Sequence, residues 1–118
     1  MKLVWSDEFD YTGPPNPAFW THQLKGGTAI RNKGWGNNEV QWYTDSPKNS
    51  FVKDGVLTIR ALKDDSNGHN TTWTSARLST SGKAFIKYGY IEASMKLSPV
   101  FGSWPAFWMM PQNSVYGP

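Results

Sequence analysis

Gly102-Ser103-Trp104-Pro105-Ala106-Phe107-Trp108-Met109-Met110 is the stretch on which the fold class turns. Read as extended backbone, it sends Trp104, Ala106, Trp108 and Met110 to one side and Pro105, Phe107 and Met109 to the other, because successive side chains of a strand alternate. Large apolar groups then stand on both faces, which predicts a strand inside a sandwich or along a ligand groove. Pro105 cannot donate a ladder hydrogen bond and is confined to an edge, a strand start or a bulge, so Trp104 is placed at a strand mouth or bulge. Two roles stay open for the indoles: stacking on the C–H face of a sugar, or filling a core.

The rest of the chain argues for the same class. Its 118 residues are the length of one domain, taken as 1–118, and 15% are aromatic against 18% charged. Eleven Gly and eight Pro are spread along the chain. That predicts many turns between short strands, hence an all-β domain with little helix. The net charge of +3 comes from Lys and Arg scattered singly, without the basic run that nucleic acid selects. There is no cysteine, which excludes disulfides and thiol catalysis. No signal peptide is legible, and no apolar run is long enough to cross a bilayer, so neither nucleic acid nor membrane is an expected partner.

Along the chain, residues 3–10 read as a short strand followed by an acidic turn. There Asp7, Glu8 and Asp10 supply oxygens either to a hard cation or simply to solvent. Residues 11–17 hold three prolines and a glycine, the composition of a rigid loop, and lead to Phe19 and Trp20. Gly26-Gly27 marks a turn, and Thr28-Ala29-Ile30 a weak strand. In Gly34-Trp35-Gly36-Asn37-Asn38-Glu39-Val40-Gln41-Trp42-Tyr43-Thr44 a loop gives way to a strand from Glu39. The paired asparagines suit a left-handed turn, and their amides equally suit the hydroxyls of a neutral polyol.

Phe51-Val52-Lys53, Asp54-Gly55 and Val56-Leu57-Thr58-Ile59-Arg60-Ala61 predict a hairpin, since Asp-Gly between alternating apolar residues favours the tight turn that matches strand twist. Residues 64–70 form a polar loop in which His69 is read as solvated and without a catalytic role. Residues 72–80 predict one strand carrying Trp73 and Arg77, and Ser81-Gly82-Lys83 a turn. The cleanest alternation follows: Ile91, Ala93, Met95 and Leu97 face one way, and Tyr90, Glu92, Ser94 and Lys96 the other. Arg77 either pairs with Glu92 as scaffold or turns its planar fork to sugar hydroxyls.

The order Asp7-Glu8-Phe9, Gly34-Trp35-Gly36-Asn37-Asn38-Glu39, Asp54-Gly55-Val56-Leu57, Thr74-Ser75-Ala76-Arg77-Leu78, Tyr88-Gly89-Tyr90-Ile91-Glu92-Ala93 and Trp104-Pro105-Ala106-Phe107-Trp108 resembles the bacterial laminarinases. These are endo-β-1,3-glucanases of glycoside hydrolase family 16. The resemblance implies an all-β, concanavalin A-like jelly-roll sandwich, present here as roughly its N-terminal half, whose groove takes β-1,3-glucan or mixed-linkage β-glucan. By the same resemblance Asn37, Arg77, Trp104 and Trp108 contact substrate. Glu8 and the Gly55 carbonyl are candidate ligands of a structural calcium, and the location is extracellular or periplasmic.

The resemblance also implies a retaining mechanism with two carboxylates about 5 Å apart. The family carries them on one strand, in a Glu-x-Asp-x-x-Glu motif that is expected soon after Trp108. None of the nine acids present forms that motif. No catalytic residue is therefore assigned, and the 118 residues alone are expected to be inactive. Half a sandwich would leave strand edges unpaired, which predicts association with the complementary C-terminal part or with itself. A non-catalytic β-glucan-recognition module is the alternative reading.

Overall fold

The computed structural model describes residues 2–26, 35, 39–69 and 71–113. The expected strand at Thr28-Ala29-Ile30, and Asn37, lie outside them. Two compact units divide the chain, Met1–Ala84 and Phe85–Pro118, and each is described by itself.

The first unit is all β among the described residues. Its strands are β1 (Thr21–His22), β2 (Lys25–Gly26), β3 (Gln41–Tyr43), β4 (Ser50–Lys53), β5 (Val56–Ile59), β6 (Leu62–Lys63), β7 (Trp73–Ser75) and β8 (Leu78–Ser79). A four-stranded sheet runs in the order β2-β3-β7-β6, and two pairs, β1-β8 and β4-β5, complete the set. Within the larger sheet β3 and β7 are parallel, with Trp42 opposite Thr74 and Tyr43 opposite Ser75, while β2 and β6 flank them antiparallel.

The Asp-Gly hairpin forms as expected. Asp54 and Gly55 take φ of 53° and 74°, the two left-handed residues that a two-residue turn of this hand requires. The single strand expected over 72–80 is broken. β7 ends at Ser75 and β8 begins at Leu78, so the chain leaves the four-stranded sheet and re-pairs with β1. Ala76, 6% exposed, fills the break with a side chain small enough to be enclosed there.

The core is small and largely polar. Val52 and Ala76 are buried beside Asn49, Ser50 and Thr74, which expose 2%, 1% and 3%. Burial of such groups requires partners, and Asn49 supplies them. Its Oδ1 accepts from Thr44 Oγ1 at 2.6 Å, and its Nδ2 donates to the Arg60 carbonyl and to Thr74 Oγ1, both at 3.1 Å. One amide thereby ties the β4-β5 hairpin to β7.

Of the short strand and acidic turn expected over 3–10, the strand does not form and the turn does. Asp7 organises that turn: its Oδ1 accepts the Phe9 N–H, and its Oδ2 accepts from Tyr11 Oη at 3.2 Å and Trp20 Nε1 at 2.8 Å. Phe9 pivots at φ 58°, and Trp5, Phe19 and Trp20 meet edge to face about it. Gly13 then exchanges two backbone hydrogen bonds with Val52, which brings this aromatic corner alongside β4.

The second unit departs furthest from expectation. Residues 85–113 contain no strand, and all of them are exposed, including the alternating 90–97 segment and the aromatic stretch 102–110. A strand exists only where a neighbour supplies complementary N–H and C=O groups, and no such ladder forms here. The local order present is a turn, in which the Ser103 N–H and Oγ both donate to the Val100 carbonyl while Gly102 takes φ 83°.

Candidate functional site

The side chains with chemistry to offer gather on one face of β3 and at the break after β7. Alternation puts Glu39, Gln41 and Tyr43 on the same face of β3. Gln41 Nε2 donates to Tyr43 Oη at 2.7 Å, and Tyr43 Oη donates to Glu39 Oε1 at 3.2 Å. Burial raises the Tyr43 pKa, helped by the adjacent Glu39 charge and opposed by Arg77, so the phenol stays a neutral donor.

Arg77 sits at the break with its backbone carbonyl accepting from the Gln23 N–H at 2.8 Å. Its Nε donates to Gln23 Oε1 at 2.7 Å, and its guanidinium lies 4.2 Å from the centroid of the Trp35 ring. A guanidinium bonded to Gln23 and backed by an indole is pre-oriented, so little of its side-chain entropy remains to be lost on binding. Among the described residues Trp35 Nε1 and Glu39 Oε2 are buried without a hydrogen-bond partner.

Of the expected site residues, Arg77 lies in this cluster and Asn37 falls outside the described residues. Trp104 and Trp108 belong to the second unit, where they expose 81% and 53% of their surface. The structure gives Arg77 the partners Gln23 and Trp35. Gln23 escaped sequence reading because its contact with Arg77 spans 54 residues and depends on β1 pairing with β8.

His69 is exposed, as expected, and in addition stacks on Trp42, ring centroids 3.9 Å apart and planes 8° from parallel. Glu8 and Gly55 are both exposed and offer one carboxylate and one carbonyl. Two donors fall short of the six to eight oxygens calcium takes. Asp7 is spent on its own turn, and among the described residues no three His, Asp or Glu side chains gather around a common point. The residues described do not fit a calcium site.

The first unit is thus an all-β scaffold that carries an arginine stacked on tryptophan beside an amide and a phenol. Residues 1–116 match the model for the β-glucan synthesis-associated proteins SKN1/KRE6/Sbg1, and the chain belongs to that family. It is 44% identical over 117 residues to a β-glucanase of Rhodothermus marinus, covering 98% of this chain and 38% of the relative.

The crystal structure of the laminarinase from Rhodothermus marinus superposes on 70% of this chain and 30% of its own, with a TM-score of 0.60 and 46% identity. That of SCLam, a non-specific endo-β-1,3(4)-glucanase from family GH16, covers 75% and 34%, with a TM-score of 0.64 and 36% identity. The fold is therefore the jelly-roll of these enzymes, of which the chain spans about a third.

Proposed function

We propose that this chain supplies part of the substrate groove of a retaining endo-β-1,3-glucanase. The observation that carries the reading is the pre-oriented Arg77 fork, stacked on Trp35 and pinned by Gln23, in a chain matched over 98% of its length by a β-glucanase. The guanidinium donates to ring and hydroxyl oxygens of a neutral glucan. The exposed indole of Trp104 offers a stacking face to a pyranose. Cleavage with retention needs a nucleophile and an acid/base about 5 Å apart. No Glu-x-Asp-x-x-Glu occurs in these 118 residues, so their share of the work is to hold the polymer.

Affinity electrophoresis through laminarin tests this. The chain is expected to be retarded, and Arg77→Lys, which loses the fork and much of the stack, to bind roughly tenfold more weakly. Unchanged retardation of that variant would sink the assignment of Arg77. A second reading, a β-glucan-binding protein without hydrolysis, is favoured by the synthesis-associated description of the matched family. Both readings expect no release of reducing ends from laminarin by the 118 residues, and release above background would overturn them.

A further inference from the structure

On the face of the four-stranded sheet opposite Arg77 and Tyr43, we infer a second binding site, one that takes a single neutral pyranose unit. Trp42 and Thr44 point away from Tyr43 by strand alternation, and Thr74, opposite Trp42 in register, is buried on their side. Between this face and the 64–69 loop lies a cleft of about 220 Å³, floored by Leu62 and Thr74. At about 30 Å³ per water the cleft holds some seven waters, which is room for one small molecule.

The loop over the cleft is built rigidly. Asn67 Nδ2 donates to the carbonyls of Asp64 and Thr71, Asn67 Oδ1 accepts the His69 N–H at 2.8 Å, and His69 lies flat on Trp42. Asn49, Thr44 and Thr74 satisfy one another beneath it. What the cleft leaves open is specific. Asp64 Oδ1 accepts from Ser66, while its Oδ2 takes no partner among the described residues. The Lys48 ammonium likewise makes no ion pair or hydrogen bond among them.

One cation, one anion and the Ser46 hydroxyl around a small cleft have no net charge and offer both donors and acceptors. That combination selects a ligand whose groups both donate and accept, which is what sugar hydroxyls do. The adjoining Leu62 and His69 surfaces meet its C–H groups. The inference stands apart from the groove, because none of these residues belongs to the Arg77 cluster.

Titration of the ¹⁵N-labelled 118-residue chain with glucose tests it. Saturable shifts are expected at the Trp42 indole and the Ser46 and Lys48 amides, in the millimolar range of a ligand of about a dozen heavy atoms. Asp64→Asn, which keeps the oxygen that Ser66 uses, and Lys48→Met, which alters an exposed side chain, are each expected to weaken the binding fivefold or more. Arg77→Lys addresses the groove alone and is expected to leave these shifts in place even if laminarin binding is lost. Shifts that rise linearly without saturating, that appear with laminarin but not glucose, or that persist unchanged in Asp64→Asn would overturn the site.

Discussion

Replacing Asn49 by alanine tests whether a polar hub, rather than an apolar core, holds the first unit together. The amide is 2% exposed and makes three hydrogen bonds, to Thr44 Oγ1, the Arg60 carbonyl and Thr74 Oγ1. Each contributes about 1 kcal/mol net, and more where the abandoned partner stays buried, as Thr74 does at 3% exposure. Because Asn49 borders the cleft, water can reach part of the gap and recover some of the loss.

The expected cost is about 2–4 kcal/mol, at roughly 1 kcal/mol per bond plus the cavity left behind. For a unit of this size that is a drop of about 10–25 °C in Tm. Urea unfolding followed by tryptophan fluorescence gives the number directly, since a lower midpoint at unchanged slope reports lost stability alone. Asn49→Asp serves as comparator: it keeps the shape but turns an acceptor toward the Arg60 carbonyl, and is expected to cost at least as much. A loss below about 0.5 kcal/mol for the alanine variant, the level of an ordinary surface change, would refute the hub.

Other outcomes follow from single features. Gly55→Ala meets no neighbouring atom, so the φ of 74° alone sets its cost, about 1–2 kcal/mol by chemical denaturation, with the hairpin register unchanged. Asp7→Ala strips acceptors from Phe9, Tyr11 and Trp20 and is expected to raise proteolytic nicking within 2–16 while β4-β5 stays protected from hydrogen exchange.

His22, bonded to Ser50 Oγ at 2.8 Å, has its pKa lowered by burial, partly opposed by Asp45. The unfolded chain therefore binds the proton more readily. His22's stabilising contribution is full above pH 6.5 and is lost as pH falls through the lower folded value. Melting curves of His22→Gln should show a flatter dependence over that window, and an unchanged slope would exclude His22 as its source. Trp104→Ala is expected to reduce laminarin retardation without lowering the Tm, because the indole is 81% exposed and buries little.

What could be read in the sequence is what neighbours in the chain decide. Asp54-Gly55 announces its turn because only certain residues tolerate those dihedrals, and the hairpin stands where the pattern put it. The alternation through Gln41, Trp42 and Tyr43 likewise marks β3.

Long-range partners are another matter. Residues 72–80 read as one strand, yet β1 captures their far end and the run breaks at Ala76. His69 sits in a polar loop that gives no hint of Trp42, because the stack exists only after β3 and β6 have fixed both ends. Residues 90–97 carry the strand pattern most cleanly and form no strand, since alternation says which way side chains would face and nothing about a ladder partner. Arg77 could be singled out by residue type, whereas Gln23 and Trp35 as its supports required the fold.

The parallel pairing of β3 with β7 fixes an order of events when the chain first collapses. The two strands are separated by the whole β4-β5 hairpin and β6, so their alignment must wait for a loop of some thirty residues to close. The hairpin, closed by a two-residue turn, is free to form in microseconds. Stopped-flow refolding should therefore show hairpin amides protected well before those of Gln41 to Tyr43, with the slower phase set by chain topology.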